Sequence, residues 1–398
     1  MKILAIANAH ALAHVTRLLE ISKVLRARGH DVAFAGHGKY LEAARWDDFA
    51  THDLPYISVE TVVEAVRSQK LWMLYREPDL ERFIAAELAL YDKTSPDLVL
   101  LDNRPSVRTS ADIAGLGTAA VLNVHMSNYR RTPFLSYRQL TRGLPGSAVA
   151  DRLENAIERK VYDRLVMGGL NAVRKKQGLP RRYAYEHEEG DLSLLADVPE
   201  FNPVDALPPH ARYVGPITWR NTLPPPACMP RLDPARPIAY FTLGSEGLDE
   251  LVAQLGELAR SGVQIVVAVG AAKPGSLQAV EGVYLEQYVN TDTLLPLCDV
   301  VCCHGGNGTL YQAFAHGLPC VVVATHAEQH YGGKRTLELG LGSSMTLKQL
   351  RRRGIGQLVE AVRHVLATPD YRRKAADFAR HLDGESAVRA ADLIEQRV

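Results

Sequence analysis

The chain has 398 residues, 46% hydrophobic and 23% charged, with Lys+Arg 46 set against Asp+Glu 45. That near-neutral balance argues against nucleic acid as the main partner, which calls for a strongly basic face. No apolar run approaches the roughly 18 residues of a membrane-spanning helix, and the length predicts two domains rather than one core.

Lys2 to Ala7 is apolar after its first residue, as a parallel strand buried on both faces is. It reads as a strand and not as a secretory leader. A short loop leads to a helix over Val15 to Arg28, with Val15, Leu18, Leu19, Ser22 and Leu25 on one stripe and Gly29 as its stop. Strand Asp31 to Ala35 completes a βαβ unit. Its first loop carries His10 and His14, which belong at the crevice off the carboxyl ends of the strands.

Residues 47–95 hold Trp72, Tyr75 and Tyr91 just beyond Trp46, aromatics that read as core, with an acceptor pocket as the alternative. Pro96 to Asp102 is a further buried strand ending in a carboxylate. Asp102 is placed to orient a histidine, or else to cap the segment Ser106 to Ala114. A strand over Ala119 to Val124 follows. Residues 128–190 interleave Arg130, Arg131, Arg138 and Arg142 with Tyr129, Phe134 and Tyr137. They read as a solvated insertion on the acceptor side, with a membrane-contacting amphipathic stretch as the alternative. Asp191 to Leu195 and Ala211 to Val214 are the last strands of this half.

Pro216, Pro224, Pro225, Pro226, Pro230, Pro234 and Pro237 mark an interdomain linker. The alternation then restarts. Strands are expected at Ile238 to Leu243, Val263 to Val269, Val283 to Gln287, Val300 to Cys303 and Cys320 to Ala324. Helices are expected at Leu248 to Arg260, Thr293 to Leu297, Leu310 to His316, Gln349 to Leu366, Tyr371 to Leu382 and Ser386 to Glu395. The five cysteines form no ligand or disulfide pattern and read as small core residues of a reducing, cytoplasmic compartment. The domains expected are 1–215, a linker 216–237, 238–380, and a terminal helix in 381–398 packing back on the first domain.

The most informative stretch is His304-Gly305-Gly306-Asn307-Gly308-Thr309, between a buried strand and a helix. Such a turn aims backbone N–H groups and a positive helix dipole at an anion, here a phosphate or pyrophosphate. His326 and His330 stand four apart without a third ligand, so no metal site is expected. The stretch Asn8 to His14 contains no glycine, which argues against a nicotinamide dehydrogenase.

These residues together resemble the GT-B glycosyltransferases of the UDP-glycosyltransferase-like, natural-product kind. The likeness covers nearly the whole chain. It rests on the paired α/β halves, the segment from His14-Val15 to Gly29-His30-Asp31-Val32, and the block with Gln287-Tyr288-Val289, His304 to Thr309, Gly317-Leu318-Pro319 and Glu328-Gln329. It implies two Rossmann-like α/β domains facing each other across a cleft that closes on the substrates. It also implies that Ser245, His304, Gly306, Asn307, Gly308 and Thr309 bind the donor pyrophosphate. Tyr288 would stack on the nucleobase, Val289 would pair with its edge, and Glu328 and Gln329 would hold the sugar. Gln312 stands where UDP-using relatives place a glutamate on the ribose, which leaves UDP and dTDP both open. Aligned from the first strand, His10 matches the family's catalytic histidine; aligned from the helix, His14 falls on the second histidine of that loop. Both stay candidates for the base, with the preference on His10, and Asp102 matches its aspartate partner.

The reaction so implied is an inverting, metal-independent transfer of a sugar from a UDP- or dTDP-sugar to a hydroxyl. The acceptor expected is a small aromatic or apolar natural product, as in antibiotic biosynthesis, with a lipid as the second choice. The nucleotide sugar is a co-substrate, and no cofactor is expected. The competing readings are a sugar-nucleotide epimerase or hydrolase of the same fold and a silent sugar-nucleotide-binding module.

Overall fold

The computed structural model describes residues 1–68, 70–131, 148–220, 222–242, 255–270 and 280–397. Ser245, most of the helix expected from Leu248, and Phe134, Tyr137, Arg138 and Arg142 lie outside the described residues. The chain divides into two compact units, Met1–Trp219 with Gly384–Val398, and Arg220–Asp383.

The first unit is a seven-stranded parallel sheet in the order β3-β2-β1-β4-β5-β6-β7. Its strands are β1 (Lys2–Ala7), β2 (Asp31–Gly36), β3 (Ala50–Asp53), β4 (Leu98–Asp102), β5 (Gly117–Leu122), β6 (Leu192–Leu195) and β7 (Ala211–Tyr213). The connecting helices are α1 (Leu12–Ala27), α2 (Glu42–Trp46), α3 (Val59–Arg67), α4 (Glu77–Thr94), α5 (Val107–Ala114), α6 (Ala148–Leu165) and α7 (Gly168–Lys176). The central strands β1 and β4 are buried at every position but Lys2, because helices cover both faces of a parallel sheet. They pair in parallel with Ala7 beside Asp102, and the strand order reverses between them. Ligand crevices of open α/β sheets form at that reversal.

The second unit repeats the plan with six parallel strands in the order β10-β9-β8-β11-β12-β13. These are β8 (Ile238–Thr242), β9 (Gln264–Ala268), β10 (Val283–Glu286), β11 (Val300–Cys303), β12 (Cys320–Ala324) and β13 (Gly342–Thr346). Its helices among the described residues are α8 (Leu255–Arg260), α9 (Thr291–Leu294), α10 (Asn307–Ala315), α11 (Ala327–Glu338), α12 (Leu347–Arg353), α13 (Gly356–Ala367) and α14 (Pro369–Ala379). Here the order reverses between β8 and β11, so the glycine turn after β11 sits at the switch point. All five cysteines are free and buried.

The last helix, α15 (Ser386–Glu395), belongs to the first unit, where it covers the outer side of α1. Ala390, Ala391 and Ile394 join the cluster of Val15, Leu18 and Leu25. Arg389 donates from Nε and Nη2 to the Val214 carbonyl at 3.0 and 2.7 Å, and Arg28 pairs with Asp392 at 2.8 Å and Glu395 at 2.6 Å. That cover explains why α1 is buried well beyond a single stripe.

Several expectations are corrected. The helix after the glycine turn begins at Asn307 and not Leu310, because Gly306 is its extended N-cap. Asn307, Gly308 and Thr309 therefore form its first turn. The helix expected over Gln349 to Leu366 is two helices, interrupted at Gly354, whose φ of 83° suits a glycine. Asp102 caps no helix, since the N-cap of α5 is Ser106. Tyr75 and Tyr91 are core, while Trp46 and Trp72 are exposed. The proline-rich stretch is stitched to the second sheet from Cys228 onward: the Cys228 N–H donates to Glu286 at 3.0 Å, and Gln264 exchanges bonds with Asp233 at 2.8 and 2.7 Å.

Candidate active site

In the first unit the tips of β1 and β4 and the first turn of α1 build one cluster. Asp102, 1% exposed, ends β4. His14 stands in the first turn of α1, and its Nδ1 lies 2.7 Å from Asp102 Oδ1. A carboxylate only accepts, so Nδ1 carries the proton and donates to it. In the neutral ring this leaves Nε2, on a partly exposed ring, as the nitrogen that bears the lone pair. A histidine so held is poised as a general base.

Arg17, one turn further along α1, was not singled out in the sequence. Its Nε donates to Asp102 Oδ2 at 2.8 Å and its Nη2 to Oδ1 at 2.7 Å. Its Nη1 donates to Asn123 Oδ1 at 2.7 Å, just after β5. The fork fixes the carboxylate in plane, as bidentate arginine does. The available signal was an arginine three residues from His14, on the same face of a helix otherwise apolar there.

His10 is turned elsewhere. Its Nε2 donates to the Ile57 carbonyl at 2.7 Å, and its ring leans on Tyr56 at 5.4 Å between centroids and on His37 at 5.9 Å. Nδ1 is buried with no hydrogen-bond partner. Burial holds this ring below its ordinary pKa; the bond to Ile57 opposes that, and the charges of His37 and Arg104 reinforce it. The structure joins Asp102 to His14, 88 residues away, while His10 faces an aromatic group. That group is fixed by Arg104, fully buried, whose guanidinium lies 5.0 Å from the Tyr56 ring centre and donates to Glu87 at 2.7 Å. Neither Arg104 nor Glu87 was legible as a site residue, because each resembles a surface charge of its helix or loop.

In the second unit, β11 runs into His304, Gly305 and Gly306, and α10 starts at Asn307. Gly305 has φ of +93°, and a Cβ there would meet Val322 Cγ1 at 2.7 Å and the Gln329 carbonyl oxygen at 2.8 Å. A Cβ on Gly332 of α11 would meet the Gly305 oxygen at 2.3 Å, so the two backbones touch. Nothing lies within 4 Å of a Cβ built on Gly308, so the first turn of α10 has open space on that side. The N–H groups of such a first turn have no intrahelical acceptor and attract anions. His304 and Thr309 are half-buried beside it.

The other expected donor residues are dispersed around this turn. Tyr288 is 40% exposed and Val289 buried, beyond β10. Gln312 lies on α10, its Nε2 3.4 Å from Thr291 Oγ1. Glu328 is half-buried in the first turn of α11. Gln329 is buried, and its Oε1 accepts from the Thr325 N–H and hydroxyl, both at 2.8 Å, so this oxygen already closes the turn after β12.

The chain is similar to several known proteins. Residues 250–388 match the family described as erythromycin biosynthesis protein CIII-like, C-terminal domain. A PGL/p-HBAD biosynthesis glycosyltransferase of Mycobacterium tuberculosis is 29% identical over 98% of this chain and 92% of its own length. The 4'-demethylrebeccamycin synthase of Lentzea aerocolonigenes is 32% identical over 77% of this chain and 75% of its own. Among solved structures, the calicheamicin glycosyltransferase CalG4 superposes with a TM-score of 0.72 at 22% identity, over 99% of this chain and 97% of that one.

Proposed function

The chain belongs to the GT-B glycosyltransferases of natural-product type, and on that premise we propose that it transfers a sugar, with inversion, from a UDP- or dTDP-sugar to a hydroxyl of a small apolar acceptor. The observation that carries this reading is the 2.7 Å bond from His14 Nδ1 to a buried Asp102. In the proposed step, Nε2 of His14 takes the acceptor proton as that oxygen attacks the anomeric carbon. The bond from that carbon to the diphosphate breaks, and the diphosphate leaves with the electron pair. Asp102 orients the ring and offsets the imidazolium. The first turn of α10, with His304 and Thr309, receives the charge on the leaving group. His14 is the base in this reading, and His10 lines the acceptor side with Tyr56.

The test pairs kinetics with stereochemistry. His14→Ala is expected to lower kcat by roughly 10²–10⁴-fold, the usual worth of a general base, while nucleotide affinity by calorimetry stays unchanged. His10→Ala is expected to act mainly on acceptor KM. A loss of kcat with His10→Ala and none with His14→Ala would reverse the assignment. A product that retains the anomeric configuration would exclude direct displacement. A thermal-shift panel of UDP, dTDP, GDP, ADP and NAD identifies the donor, since a ligand of the native state raises its Tm. Stabilisation by NAD alone would refute the nucleotide-sugar reading.

A further inference from the structure

Helix α6 reverses the usual pattern over much of its length. Glu154, Asn155 and Glu158 are buried on its inward side, beside Ala150 and Tyr162. Its outward positions form a ladder four residues apart, Val149, Leu153, Ile157, Val161 and Leu165, at 73, 60, 39, 49 and 53% exposure. At 1.5 Å per residue the ladder is about 24 Å long. A monomeric soluble protein rarely leaves so continuous an apolar strip in water.

The helix is held in this rotation from within. Glu158 accepts from Arg130 Nη2, and Asn155 accepts from Arg130 Nε at 3.1 Å while donating to the Arg130 and Arg131 carbonyls at 3.1 and 2.9 Å. Turning the ladder inward would break all of these bonds and bury apolar groups against a charged cluster. The exposed charged residues of the outward face are Arg152, Lys160 and Arg164, and both carboxylates nearest that face, Asp151 and Asp163, are half-buried. Arg152 pairs at 3.3 Å with Asp205, so the cationic character lies mainly at the C-terminal half.

An apolar ladder flanked by cations is the pattern of a helix that lies in a lipid interface. We propose that the outward face of α6 docks the enzyme onto an anionic membrane surface, with Leu153, Ile157, Val161 and Leu165 entering the interface and Lys160 and Arg164 meeting lipid phosphates. The charge pattern selects this occupant over a second copy of the chain, because a two-fold pairing would oppose cation to cation with no exposed carboxylate in the strip to offset them. Among the described residues no helix is long and apolar enough to cross a membrane, so the contact is peripheral. The buried side of α6 joins the aromatic cluster: the Tyr162 hydroxyl donates to that of Tyr75 at 3.2 Å, and Phe83 of the same cluster touches Tyr56, the neighbour of His10. The docking reading does not depend on which donor or acceptor the enzyme uses.

Vesicle flotation of the full chain tests it, with vesicles of phosphatidylcholine alone or of equal moles phosphatidylcholine and phosphatidylglycerol. The wild-type chain is expected to float with the anionic vesicles, roughly tenfold or more tighter than with the neutral ones. The variant L153Q/I157Q/V161Q/L165Q is expected to stay in the aqueous fraction with Tm unchanged, since it alters exposed positions only. K160E/R164E is expected to lose the preference for anionic vesicles. No flotation of the wild type, or flotation of the glutamine variant equal to it, would overturn the proposal. So would light scattering that finds a wild-type dimer converted to monomer by the glutamine substitutions, which would make the face a self-association surface.

Discussion

At the residue scale, the arrangement that matters most is a histidine, the proposed base, held by a carboxylate that is itself held by a guanidinium. Arg17 touches no reacting atom in the proposed step, so it acts through Asp102. Arg17→Ala removes two N–H donors from a buried carboxylate. It is expected to lower kcat by tenfold or more, with donor KM unchanged, and Arg17→Lys is expected to restore only part, lacking the bidentate fork. Equal losses in kcat and donor affinity would mean a general structural role instead. Two glycines of the turn after β11 separate in the same way. Gly305→Ala meets side chain and backbone below 3 Å at a positive φ, so it should destabilise the second unit as well as weaken donor binding. Gly308→Ala places its methyl in open space, so it should leave Tm unchanged and raise donor KM. A Gly308→Ala enzyme with unaltered donor KM would remove the first turn of α10 from the site.

At the element scale, α15 is a part of the first unit contributed by the far end of the chain. Ile394 is 1% exposed and packs in the cluster of α1. Ile394→Ala is expected to cost about 2–5 kcal/mol, the range for large-to-small core substitutions, read as a lower urea midpoint. Glu395→Gln, which weakens pairings with His30 and Arg28 at the rim of that cluster, should lower that midpoint less. Equal effects would mean that α15 is held by charge and not by packing. The same scale shows why some elements were illegible. β3 reads Ala50-Thr51-His52-Asp53 and β13 reads Gly342-Ser343-Ser344-Met345-Thr346. Neither has an apolar run, because each is an edge strand with a partner on one side only. The long α6 was equally hidden, since its inverted pattern defeats the rule that apolar positions point inward.

At the scale of the whole molecule, partly buried histidines set a pH dependence. Burial lowers the pKa of His10, His52, His316 and His330 from the ordinary 6.5, with Lys93 adding for His52 and His326 for His330. In the window just below 6.5 the unfolded chain therefore binds more protons than the native one. Their contribution is complete above pH 6.5 and is lost as pH falls toward the depressed native values. Glu189, raised from 4.5 by burial, acts in the opposite sense as pH falls from its raised value toward 4.5. The urea midpoint is expected to fall between about pH 7.5 and about pH 5.5. A midpoint that is flat or rising over that interval would contradict the assignment.

The sequence by itself determined the order of elements in both sheets' central strands, the glycine turn and the aspartate at the end of β4. Those features are local: a buried parallel strand must be apolar throughout, and a tight turn must contain glycine where a Cβ would collide. Only the tertiary structure decided which histidine meets Asp102. His10 and His14 share one loop-to-helix junction, and the preference drawn from the first strand fell on His10. The choice depends on where α1 starts and how its first turn lies over the tips of β1 and β4, which is fixed by Arg17 reaching across to Asp102 and Asn123 and by α15 pressing from behind. The rotation of α6 is likewise a tertiary outcome. Its polar residues face inward because Arg130 is buried there and needs acceptors, a demand that no periodicity within α6 could announce.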